Sequence, residues 1–198
     1  MTKKYADFRE DFNTGLVELL LALRTPPSLA GIVKYYSDFV NISDDWITLF
    51  NHSKNISILS MYSQTWRNTY LKYLNEIITT KNGKITAILP DFNNKNLLAL
   101  YSKRLQCSKA DLLQRVQLAK QDFSEIKLNG KVEVYIATIY FNHAFYLFDN
   151  ACIFATYSYE IGRVPTPAIL LEDGQFMSFL KKDFQYLLNN KNLTKKIL

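Results

Sequence analysis

Apolar positions in the first 42 residues recur at spacings of three and four. Tyr5, Phe8, Phe12, Leu16, Leu19, Leu20 and Leu23 form one stripe, the signature of an amphipathic helix. Pro26-Pro27 stops it, and Ser28 is placed to cap a second helix through Ile32, Tyr35, Tyr36 and Phe39. A third short helix is expected from Ser43. Asp44 and Asp45 fall in its first turn, where the dipole favours negative charge, and Trp46, Ile47, Leu49 and Phe50 follow.

From residue 55 the pattern shortens. Ile56, Ile58, Leu59 and Met61 read as a buried strand. Thr65 opens a helix through Trp66, Tyr70, Leu74 and Ile78, which Asn82-Gly83 ends with a left-handed signal. Ile85 to Leu89 is a second strand closed by Pro90-Asp91, and helices follow over 94–104 and 108–127. Asn129-Gly130 precedes a third strand, 132–138. Strands over 142–148 and 152–159 are expected to pair as a hairpin across Asp149-Asn150-Ala151. A fifth strand lies near 168–171, and a last helix spans 175–189 with Phe176, Phe179, Leu180, Phe184 and Leu187 on it. The tail beyond is expected to fray. This order predicts an α/β fold: a mixed, mainly parallel sheet flanked by helices, carrying an N-terminal helical extension. The expected organisation is an extension over 1–42, an α/β domain over 43–190 and a basic tail over 191–198.

Composition narrows the classes. The chain of 198 residues is 48% hydrophobic and 21% charged, enough for one core and too apolar for disorder. Two cysteines, Cys107 and Cys152, make no disulfide framework and suit a reduced, cytoplasmic setting. The richest apolar run, 15–23, is far short of a membrane span and carries Glu18. The first residues lead into no apolar core of a signal peptide, so neither export nor a membrane partner is expected.

The net charge of +6 is unevenly spread. Residues 84–130 and 174–198 are each net +4, whereas 131–173 are net −3. A basic stripe attracts polyanions, although lysines on helices equally form a solvated face. Aromatic and basic residues do not interleave as in single-strand binders. Neither phosphate-cradling glycine loop is present, nor a serine elbow. Cys107, His52, His143 and Cys152 lack metal-ligand spacing, so no metal or cofactor is expected.

The stretch from Val132 onward carries a resemblance. Val-Glu-Val-Tyr-Ile-Ala-Thr is followed by Asn-His-Ala-Phe-Tyr-Leu-Phe-Asp-Asn, then Cys-Ile-Phe-Ala-Thr-Tyr-Ser-Tyr, a Pro-bounded strand and a helix ending Phe-Leu-Lys-Lys-Asp-Phe-Gln-Tyr-Leu-Leu. Upstream stand a Trp-containing helix, a strand ending Ile-Leu-Pro-Asp, and Arg104. Over about residues 43–190 this resembles one catalytic half of the phospholipase D superfamily. It is similar to single-repeat bacterial members whose motif has decayed.

In active members of that family the motif is H-x-K-x-x-x-x-D. Its His attacks phosphorus, its Lys holds a phosphate oxygen, and its Asp orients an imidazole. With His143 in the first position, Phe145 and Asn150 occupy the other two; with Asp149 in the last, Asn142 and Ala144 do. Neither register keeps the Lys. The resemblance therefore implies a non-catalytic binding or regulatory module, by family analogy in a bacterial stress or phage-defence system. Its ligand would be a small anion, a nucleotide or a protein partner. A homodimer is expected, because active members close their site with two halves. The alternative is a metal-independent phosphodiesterase or nuclease with His143 as nucleophile and Arg104 or Arg163 replacing the Lys. A third reading makes the N-terminal helices a docking surface for assembly. The default ligand site in an α/β sheet is the crevice at the carboxyl ends of the strands. Asn142, His143, Asp149, Tyr157, Tyr159, Glu160 and Arg163 are expected there, with Arg67 and Arg104 supplying anion contacts.

Overall fold

A computed structural model describes residues 30–158, 160 and 164–198. The expected helix over 5–23, Arg163 and Tyr159 lie outside these residues. In chain order the elements are β1 (Ile32–Tyr36), a 3-10 turn, α1 (Ser43–Asn51), β2 (Asn55–Leu59), α2 (Gln64–Thr79), β3 (Lys84–Pro90), α3 (Lys95–Leu105) and α4 (Lys109–Lys127). Then come β4 (Lys131–Ala137), β5 (His143–Leu147), β6 (Ala151–Thr156), β7 (Ala168–Glu172), α5 (Gln175–Asn189) and β8 (Thr194–Lys196).

All eight strands form one sheet, in the order β1-β7-β6-β5-β2-β3-β4-β8. β2, β3 and β4 run parallel because helices return the chain between them. Their alternate residues Ile56, Ile58, Ile85, Ala87, Val132 and Val134 are buried under α1, α2 and α4. That layer is aromatic: Trp46 meets Trp66 edge-on with centroids 5.4 Å apart, and Phe50 stacks on Trp66 at 5.8 Å. The opposite face, with Phe145, Leu147, Cys152, Ile169 and Leu171, is covered by Met177, Leu180, Phe184 and Leu187 of α5. A third cluster joins Met61 and Phe92 to Leu97, Tyr101, Leu112 and Val116 of α3 and α4.

The expected α/β architecture is present, but three expectations need correction. The sheet is mixed and not mainly parallel, since only β2–β3 and β3–β4 are parallel pairs. β5, β6 and β7 pair antiparallel in succession, β5 and β6 across a turn too short to return the chain for a parallel pairing. Residues 32–36, expected as helix, form strand β1 on β7. A bulge between Ile32 and Lys34 sends Ile32 to the α5 layer and Tyr36 to the other, which erases the alternation that marks a strand. Residues 32–36 thus join the sheet, and Ile42 is wholly buried. Asp45 stands in the first turn of α1 as expected, and there it also accepts from Tyr36 Oη at 2.6 Å and Lys34 Nζ at 2.8 Å, tying α1 to β1.

The third correction is the tail, which is not frayed. β8 pairs antiparallel with β4, and the buried Thr194 hydroxyl donates to Leu187 O at 2.6 Å. The end of α2 matches its sequence signal. Asn82 is left-handed at φ 49°, and a Cβ on Gly83 would lie 1.7 Å from Lys54 O.

Candidate functional site

β2 ends at Leu59 and the chain turns through Met61 and Tyr62 into α2. Ser63, before the first turn, is left-handed at φ 46°, and its hydroxyl lies 2.5 Å from Tyr146 Oη instead of capping the helix. The first amides of α2, at Gln64 and Thr65, therefore carry no side-chain cap. They border a cleft of about 520 Å³ at the carboxyl end of β2, shared with Arg104, Arg115, Tyr157, Ser158 and Glu160. A neighbouring chamber of about 250 Å³ shares part of its lining and is walled by Trp66, Tyr146, Tyr157, Ala144, Ala155 and Val40 among others.

Two guanidinium groups face the cleft. Arg104, at the end of α3, lies over the rings of Tyr140 and Tyr157, 5.6 and 5.2 Å from their centroids. It donates to Tyr140 Oη at 2.5 Å and to Ser158 O. Arg115, on α4, donates to Tyr62 Oη at 2.8 Å and lies 5.2 Å over the same ring. Aromatic faces and neutral oxygens hold both cations in place. Among the described residues neither pairs with a carboxylate.

Of the residues expected at this crevice, Tyr157, Glu160 and Arg104 line it. Asn142 does not line it: its side chain is on His143, and its backbone oxygen accepts from Tyr157 N at 2.8 Å. Asp149 does not belong to it. In the β5–β6 turn it accepts from Lys54 N at 2.7 Å and Asn55 Nδ2 at 2.8 Å, at the amino end of β2. β5 runs antiparallel to β2, so its two ends are separated by the height of the sheet.

Arg67 is buried away from the cleft and bound to Asp122 at 2.9 Å. His143 faces the wrong layer. Its ring stacks on Phe145 and Phe154 at 5.9 and 5.4 Å, beneath α5, while the chamber is lined by the alternate residues Ala144 and Tyr146. His143 Nδ1 bonds to Asn142 Oδ1 at 2.7 Å, and Nε2 is buried without a partner. Burial holds its pKa below the ordinary imidazole value, with Asp183 opposing.

Arg115 and Tyr140 escaped the sequence reading. The available signal was Arg115 itself, set between Leu112 and Val116 on the apolar stripe of α4. The net −3 of 131–173 also misled: that segment contributes Glu160 to the cleft, whereas the cations come from 84–130. Among the described residues no three His, Cys, Asp or Glu side chains gather as for a metal, and no helix is long and apolar enough to cross a membrane.

The fold and cleft define a mixed α/β domain with an arginine-bearing crevice. No family model matches the sequence, and no curated protein does. Among solved structures, the chain is similar to TrmBL2, an archaeal chromatin protein described as showing a novel mode of DNA binding. The TM-score is 0.51 at 13% identity. The match covers 93% of this chain and 61% of that one, so the chain spans about three-fifths of that structure, and at this identity the likeness is one of fold.

Proposed function

We propose that this chain is a non-catalytic ligand-binding module, on a phospholipase D-like fold without the family's catalytic triad, that holds a small anionic group in the cleft at the carboxyl end of β2. The observation that carries this reading is the contrast among three arginines. Arg67 has its carboxylate, Asp122, whereas among the described residues Arg104 and Arg115 pair with none and line the cleft beside the uncapped start of α2. A fixed guanidinium with free donors matches phosphate or carboxylate, and a helix N-terminus adds favourable dipole and amides. His143, turned under α5, supports a binding role over hydrolysis. The same reading includes a reducing, cytoplasmic setting, supported by two unpaired cysteines, one of them buried.

The test is thermal denaturation with inorganic phosphate and pyrophosphate, beside a hydrolysis assay on bis-p-nitrophenyl phosphate in EDTA. Binding raises the wild-type Tm, by an amount set by mass action, and Arg115→Gln removes the rise. Hydrolysis by the wild type that is lost in His143→Ala would overturn the reading, as would a Tm indifferent to both anions.

A further inference from the structure

Tyr62 and Tyr157 each seat a guanidinium and also wall the neighbouring chamber. Arg115 lies 5.2 Å from the Tyr62 centroid and Arg104 5.2 Å from that of Tyr157, and both tyrosines line cleft and chamber alike. In the chamber their neighbours include the apolar Phe39, Val40, Val164 and Ala144. Val40 is 67% exposed, so water reaches this apolar wall. The chamber's own polar groups are engaged with one another or with backbone. Ser63 Oγ lies 2.5 Å from Tyr146 Oη. Asp38, the one charged residue among its described walls, accepts from Val40 N at 3.4 Å and Thr166 N at 3.3 Å. Gln64, Thr65 and Thr166 are shared with the cleft.

Resting on the anion-binding reading above, we infer that the cleft's ligand is an amphiphilic anion, a phosphate monoester or carboxylate with an apolar body. Its head meets Arg104 and Arg115, and its body lies over Tyr62 and Tyr157 into the chamber. Guanidinium donors and a helix start select the charge. The chamber selects against a second polar group, which would shed its water there and find the local polar atoms already bonded. An apolar body instead covers rings and aliphatic side chains that water otherwise touches. Small-molecule sites share this division between apolar walls and a few placed polar groups. Inorganic phosphate uses only the cleft, and a neutral alcohol only the chamber.

Isothermal titration with inorganic phosphate, with methyl, butyl and hexyl phosphate, with acetate, butyrate and hexanoate, and with hexanol tests this. Binding is expected to tighten along an alkyl series by up to about fourfold per methylene. The longest chain should then bind at least tenfold more tightly than the shortest. Tightening in only one series supports the inference and assigns the head as phosphate or carboxylate. Hexanol is expected to bind more weakly than the six-carbon anions. Val40→Asn makes an exposed wall polar, and Ala144→Leu fills space in the chamber. Each is expected to lower the ratio of longest-chain to shortest-chain affinity at least threefold. Arg115→Gln weakens every anion and keeps that ratio. If the anions bind and neither series tightens with length, or if both chamber variants keep the ratio, the inference fails and the anion site stands. If no anion binds, or if hexanol binds as tightly as the six-carbon anions, the anion site fails with it.

Discussion

Arg67 Nε donates to Asp122 Oδ2 at 2.9 Å, and Nη2 lies at the same distance from that oxygen, so one carboxylate on α4 anchors the most deeply buried charge described in the protein. The Arg67 side chain is 1% exposed and that of Asp122 is 25%. Burial lowers the guanidinium pKa, and Asp122 opposes the shift. Removing Asp122 strands a charge between α2 and α4, whereas removing Arg67 leaves a carboxylate that water reaches. Asp122→Ala is therefore expected to cost about 3 kcal/mol, and Arg67→Met distinctly less. Urea unfolding of the two variants checks the order; equal losses would contradict it.

His143 makes stability depend on pH between neutrality and mild acid. Its folded pKa lies below its unfolded value of about 6.5, so the unfolded chain binds the proton first. Stability is full above that value and falls as pH drops through the window, by no more than about 1.4 kcal/mol per pH unit for one proton. Asp45 and Glu133, whose carboxyls titrate below the usual range, stay ionised there. Urea midpoints at pH 7.5 and 5.5 should therefore separate in the wild type and draw together in His143→Phe. An unchanged separation in the variant would place the titration elsewhere.

Glu133 joins three strands, with Lys84 of β3 at 2.6 Å and Lys196 of β8 at 2.7 Å. These are exposed ion pairs, so Glu133→Gln is expected to cost under about 1 kcal/mol globally. Its local effect is larger, because β8 is three residues long and has one neighbour. Amide exchange at Ile197, which donates to Val134 O at 2.8 Å, should quicken in the variant. The Lys196 and then the Lys84 hydrogen bonds lower the Glu133 pKa, so the contact persists above the ordinary carboxylate range and is lost as pH falls through the folded value. Exchange at Ile197 should quicken at that acid pH in the wild type and not in Glu133→Gln.

Elements with strong local signals were legible. The final helix was expected over 175–189 and occupies Gln175–Asn189, because Phe176, Leu180, Phe184 and Leu187 repeat at helical spacing with Gly174 just before it. β1 and β8 were not legible. The apolar residues of β1 also fit a helical stripe once a bulge breaks their alternation, and β8 is a polar Thr-Lys-Lys whose strand character comes from pairing with β4. Secondary structure imposed by a neighbour leaves little mark on composition.

For the site, the sequence determined the chemical groups and the alternation within each strand: Ala144 and Tyr146 must face one layer, and His143 and Phe145 the other. Which layer carries a cleft was decided by where α2, α3 and α4 pack. Which end of the hairpin reaches that cleft was decided by the direction of β5 against β2. That is why Asp149 and His143 fell away, and why Arg115, 42 residues before Tyr157 in the chain, came to line the same cleft. Local spacing constrains neighbours along the backbone through steric and hydrogen-bond geometry. The meeting of distant residues depends on strand direction and layer order, which emerge only when the whole core is buried together.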